Sequence, residues 1–148
     1  MNKKTIVVHF STQLKNQIAQ IRQQIETLSQ DASENAKSSA GDKHETDLAM
    51  VHLEQEQLSK KLGQLLDNQQ TWKQIDFENN SQIIKQGSFV KTNLGWLLIA
   101  IALPIYKFKN ETVISISPQS PLGNLLIGKQ KNETFDFNGK TITIDEIQ

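Results

Sequence analysis

LKNQIAQIRQQIETLSQDA, residues 14–32, sets its apolar side chains at Leu14, Ile18, Ile21, Ile25, Leu28 and Ala32. The 4-3-4-3-4 spacing lines one face of a helix with a continuous apolar seam. A second seam follows at Leu48, Val51, Leu58, Leu62, Leu65 and Trp72, with Gln55 and Gln69 filling two of its slots. Between them lies Ser38 to Asp47, which contains Gly41. Two such helices joined by a short glycine-containing turn bury their seams on each other as an antiparallel hairpin. Helices of about 30 residues make that hairpin roughly 45 Å long. Antiparallel pairing sets Leu14, Ile18, Ile21 and Ile25 against Leu58, Leu62, Leu65 and Trp72.

Local signals bound the two helices. Ser11 or Thr12 can cap the first, which is expected from Thr12 to Ala36. Asp42 opens the second, which is expected to run to Ile75. Gly63 inside it costs about 1 kcal/mol relative to alanine, unless it serves a close helix contact. The polar stretch Asp76 to Ser81, with Asn79-Asn80, reads as a linker. It divides the chain into a coiled-coil hairpin over 1–76 and a second domain over 77–148.

The second domain reads as strands with one short helix. Phe89-Val90, Trp96 to Leu103 and Val113 to Ile116 are β-like runs. Phe135 to Ile144 is a hairpin turning at Asn138-Gly139, the strongest short hairpin signal. Pro121 near the start and Gly128 at the end frame a helix after Ser120. The expected class is α+β: an antiparallel coiled coil, then a small antiparallel sheet plus one helix. Trp72 is expected in the core at the hairpin base and Trp96 in the core of the sheet.

Composition narrows the function. Over 148 residues, 36% are hydrophobic and the mean hydropathy is −0.47. That is little for one large core and enough for a thin hairpin plus a compact domain. With no cysteine, disulfides and cysteine-ligated zinc are excluded, and a reducing cytoplasm is the expected location. The N-terminal apolar run is too short for a signal peptide. Leu94 to Tyr106, broken by Pro104, is too short to span a bilayer, so no membrane role is expected. The net charge is zero, and residues 1–75 and 76–148 are each balanced. A chain held mainly by nucleic-acid phosphates carries a basic excess, so affinity is expected from protein surface instead. A thin hairpin encloses no pocket for a small-molecule substrate.

Two places carry chemistry. Asp42 and Glu45 are i,i+3 on one helix face at the hairpin tip. They read as a capping box, or as two carboxylates completing a Mg²⁺ site that another protein supplies. Asp47 is a further first-turn acid; Lys43 and His44 sit within the tip. Ser120 and Pro121 read as the N-cap and first-turn proline of the short helix, or as a partner-contacting loop.

Gly41-Asp42-x-x-Glu45 at such a tip resembles the tip of the Gre transcript-cleavage factors. Ile116-Ser117, followed by Ser120-Pro121-Leu122-x-x-Leu125-Leu126-Ile127-Gly128-Lys129, resembles the C-terminal domain of the same family. The resemblance implies an FKBP-like C-terminal domain without isomerase chemistry. It implies docking on the secondary-channel rim of bacterial RNA polymerase, with Ser120 and Pro121 in the contacting loop. The coiled coil then enters the channel, and Asp42 and Glu45 help hold the second Mg²⁺ near the 3′ end of the nascent RNA. The polymerase, not this chain, hydrolyses backtracked RNA. The chain departs from the family where Thr46-Asp47 follow the tip glutamate in place of Asn-Ala. That departure keeps open an inhibitory regulator in the same channel. A coiled-coil adaptor or holdase is the reading from another class.

Overall fold

The computed structural model describes residues 1–38 and 42–148, except the side chains of 35–38 and 42–44. Helix α1 (Lys3–Ser38) and helix α2 (Asp42–Gln74) come first. Six strands follow: β1 (Phe89–Thr92), β2 (Gly95–Ile99), β3 (Tyr106–Phe108), β4 (Glu111–Ile116), β5 (Thr134–Phe137) and β6 (Lys140–Ile147). The short helix α3 (Pro121–Leu126) lies between β4 and β5. The architecture is α+β, as the two periodicities demand.

The chain forms two compact units, Met1–Phe10 with Thr71–Gln148, and Ser11–Gln70. In the second unit α1 and α2 pack in antiparallel register. Gln17 and Ile21 share a groove with Lys61 and Leu65, while Gln24 and Leu28 share one with Glu54 and Leu58. As one residue number rises the other falls, the signature of an antiparallel pair. Leu14, Ile18 and Ile21 are buried, and Ile25, Leu28, Val51, Leu58, Leu62 and Leu65 are half-buried. Gly63 is not a close-contact residue, because a Cβ there meets nothing within 4 Å.

α1 begins at Lys3 rather than Thr12. Its seam continues backwards at four-residue steps through Phe10 and Ile6, both fully buried. Asn2 Oδ1 accepts from Lys4 N (2.8 Å) and Gln148 Oε1 accepts from Lys3 N (3.1 Å), serving two of the free N–H groups of the first turn. The β-branched run Thr5-Ile6-Val7-Val8 is helical because that face is covered, an instance of packing overriding propensity.

The sheet order is β3-β4-β2-β1-β6-β5. It is mixed, not purely antiparallel. β2 and β4 run parallel, with Trp96 opposite Val113 and Ile99 opposite Ile116. The chain leaves β2 at Ala100, passes Pro104 and forms β3 outside β4 before returning, and this excursion supplies the crossover a parallel pair needs. Ala100 N to Ile116 O (2.7 Å) and Ser115 Oγ to Ile101 O (2.6 Å) hold its start. The Asn138-Gly139 turn has φ of 50° and 77°, the left-handed pair that a type I′ hairpin requires.

Both faces of the sheet are covered. On one, Val90, Leu97, Ile99 and Ile144 pack with Ile84 and with Leu126 of α3. On the other, strand alternation sets Phe89, Trp96, Leu98 and Val113. Phe89 stacks on Trp96 at 4.5 Å. The first helical turns meet this face through Tyr106, which stacks on His9 at 3.5 Å and meets Phe10 edge-on at 6.2 Å. Trp72 closes the cluster against Phe10 and Phe77. Among the described residues, no helix is long and apolar enough to cross a membrane.

Candidate functional site

Antiparallel register puts the turn-flanking residues at one end of the helical unit. Glu45 is exposed in the first turn of α2, as are Thr46 and Asp47. The side chains of Asp42, Lys43 and His44, and residues 39–41 of the turn expected at Ser38 to Gly41, lie outside the described residues. The backbone of α2 starts at Asp42, so Asp42 and Glu45 are i,i+3 on one helix and share a face. Among the described residues no three His, Asp or Glu side chains converge as a metal site. Two carboxylates at a helix start fill two positions of an octahedral Mg²⁺ at most.

Ser120 and Pro121 occupy a tightly tied loop. Ser120 has φ −65° and ψ 157°, and its hydroxyl accepts from Gly123 N at 3.1 Å. The same hydroxyl donates to Ser117 O at 2.6 Å. Ser120 is therefore the N-cap of α3, and Pro121 holds its first turn. Gly123 lies so close beneath that a Cβ would sit 2.1 Å from Ser117 O. Leu122 and Leu126 pack on the sheet. Leu125 and Ile127 are each 40% exposed, and Pro121 is exposed too. The capped turn thus presents apolar side chains outward from a rigid base. Gly128 N to Ile84 O and Ile84 N to Lys129 O, both 2.8 Å, anchor the far side of the loop.

The units differ in charge where the sequence halves do not. Met1–Phe10 with Thr71–Gln148 carries ten Lys/Arg against seven Asp/Glu, a net of +3; Ser11–Gln70 carries six against nine, a net of −3. The sequence reading missed this because Lys3, Lys4 and Lys73 fold with the C-terminal strands. Within the helical unit, residues 26–56 hold eight acids against two lysines, a net of −6. The tip carboxylates belong to an acidic half-hairpin, not to an isolated pair.

Lys3 is the one buried cation among the described residues, with 8% of its surface exposed. Its ammonium donates to Asn79 O (3.1 Å) and Gln148 O (3.3 Å), tying the segment after α2 and the residue after β6 to the first turn of α1. Burial holds its pKa below the ordinary value, partly offset by Asp76 and Glu78. Trp96 Nε1 donates to Glu111 Oε2 at 3.1 Å, and Lys91 lies 3.8 Å from the other oxygen of the same carboxylate.

Comparison with protein-family models, with curated proteins and with solved structures finds no match.

Proposed function

We propose that this chain is a bacterial RNA polymerase-binding elongation factor of the Gre kind, acting in the cytoplasm. Its hairpin enters the secondary channel and stimulates Mg²⁺-dependent cleavage of backtracked RNA. In this reading the sheet with α3 is an FKBP-like docking domain that sits on the channel rim. The observation that carries the reading is the antiparallel register of α1 and α2, which brings Asp42, Glu45 and Asp47 to the turn end of one hairpin. The chain has no turnover of its own. Mg²⁺ supplies charge stabilisation at the polymerase site. Asp42 and Glu45 would hold it there through carboxylate oxygens. Ser120 and Pro121, with Leu125 beside them, form the rim-contacting surface.

A stalled, backtracked elongation complex tests this directly. Wild-type chain with Mg²⁺ is expected to shorten the RNA from its 3′ end. Asp42→Asn keeps a capping oxygen, since asparagine caps as well as aspartate, and Glu45→Gln changes an exposed residue. Both variants are expected to fold and bind polymerase yet fail to stimulate cleavage, with partial rescue as Mg²⁺ is raised. Wild-type cleavage by both variants would make the carboxylates caps alone. Docking is tested separately. Deleting residues 30–55 should spare binding, whereas Ser120→Asp with Pro121→Ala should weaken it, because aspartate keeps the cap while adding charge to the contact. Thr46-Asp47 in place of the family's Asn-Ala favours a second reading, a channel-binding inhibitor without cleavage activity. Polymerase binding with inhibition and no shortening of the RNA is its signature. Absence of polymerase binding leaves the coiled-coil adaptor or holdase.

A further inference from the structure

We propose that the acidic half of the hairpin has a second use: a groove along its flank binds a basic amphipathic helix of a partner protein. The groove encloses about 360 Å³ and lies between the two helices. Gln24, Leu28 and Asp31 line it from α1, and Glu54 and Leu58 from α2. Leu28 and Leu58 are the half-buried edge of the seam and form an apolar floor. Asp31 and Glu54 are exposed on its two rims, and neither has a salt bridge among the described residues. Met50, one turn before Glu54, is 67% exposed, and Leu53 beside it is 57% exposed.

These features select the occupant. A straight furrow between two antiparallel helices accepts a third helix, whose ridge seats in it at interaxial distances of about 8–10 Å. An apolar floor is read by anchors at i, i+3/i+4 and i+7. Carboxylates on both rims, within a stretch of net −6, require cationic residues flanking those anchors. The same field repels a nucleic-acid backbone and an anionic lipid surface. Met50, four residues before Glu54, extends the apolar contact along that side of α2 beyond the groove. The inference goes beyond the polymerase reading and stands independently of it, since its test contains no polymerase.

The probe is a labelled synthetic helix with leucine along one face and lysine elsewhere, titrated with the full chain and followed by fluorescence anisotropy. Binding is expected to weaken with salt, and the counterpart with glutamate for lysine is expected not to bind. Asp31→Lys with Glu54→Lys should weaken binding about tenfold or more, the scale of reversing close charge pairs. Glu26→Lys with Asp67→Lys makes the same net change at exposed hairpin sites outside the groove and should have a much smaller effect. Met50→Ser should also weaken it without loss of helicity, since that side chain is exposed. Equal losses in the two charge-reversed pairs would reduce the effect to diffuse attraction and overturn the groove. So would an absence of binding, or direct binding of a labelled single-stranded oligonucleotide by the chain alone with comparable affinity.

Discussion

Gly123 and Ser120 show how little freedom single positions have in the α3 loop. A methyl group at Gly123 would need space occupied by Ser117 O, a backbone atom that cannot step aside cheaply. Gly123→Ala is expected to destabilise by about 1–3 kcal/mol, the range for overpacking, measured as a fall in denaturation midpoint. Ser120→Ala removes the cap and should cost about 1 kcal/mol. Gly63 is the opposite case. It is exposed in mid-helix with nothing near its Cβ direction, so Gly63→Ala should stabilise by about 1 kcal/mol. Lys3 supplies a pH test. Its folded pKa lies below the ordinary 10.5, chiefly through burial. The unfolded chain therefore binds its proton more readily, and stability from this group rises with pH. It is fully present above 10.5 and is lost as pH falls through the folded value. Relative to Lys3→Met, the wild type should gain melting temperature as pH climbs from 8 towards 10.5. A constant difference between the two across that window would overturn the assignment.

At the scale of elements, the seams were legible and the strand partners less so. A period of 3.5 over six positions leaves few alternatives, so Leu14, Ile18 and Ile21 are buried as their spacing demands. The Asn138-Gly139 hairpin and the capped α3 were equally readable, because their signals are local. β3 was not. Tyr106-Lys107-Phe108 is three residues long, and its turn, Lys109-Asn110, takes positive φ without a glycine to announce it. The parallel β2–β4 pair follows from that missed strand and has no local signature of its own. The start of α1 was hidden because Thr5 to Val8 have β propensity, and only the covered face at Ile6 and Phe10 decides the matter. Of the candidate site, Ser120 was legible as a cap. The acidic half-hairpin was not, since its charge emerges only once the chain is divided by packing. The seam itself predicts that Ile21→Asp, at a position 6% exposed, buries an unpaired charge. It should cost on the order of 3–5 kcal/mol and lower the helicity measured by circular dichroism. Unchanged helicity and melting would mean that the seam faces solvent.

The whole molecule divides its labour between a net-positive sheet unit, at +3, and an acidic stretch of the helix pair, at −6 over residues 26–56. Ile6, Phe10 and Trp72 are buried within the same compact unit as the sheet, so that unit needs both the first ten residues and the end of α2. A cut at residue 76 separates them, whereas a cut within the hairpin does not. Replacing residues 26–57 by a tight turn that joins Ile25 to Leu58 keeps the antiparallel register, because those two seam positions face each other. It also removes eight acids and two lysines, so the chain's net charge moves from zero to +6. The shortened chain is expected to keep the near-ultraviolet circular dichroism of Trp72 and Trp96 and to bind a cation exchanger at pH 7 that the full chain passes. Phe10→Ala in the full chain should do the reverse, leaving charge untouched while costing about 3–5 kcal/mol and erasing the Trp72 signal at a lower temperature. If the shortened chain instead loses its tryptophan signals, the two units stabilise each other. The acidic half-hairpin would then be part of the fold rather than an extension available to a partner.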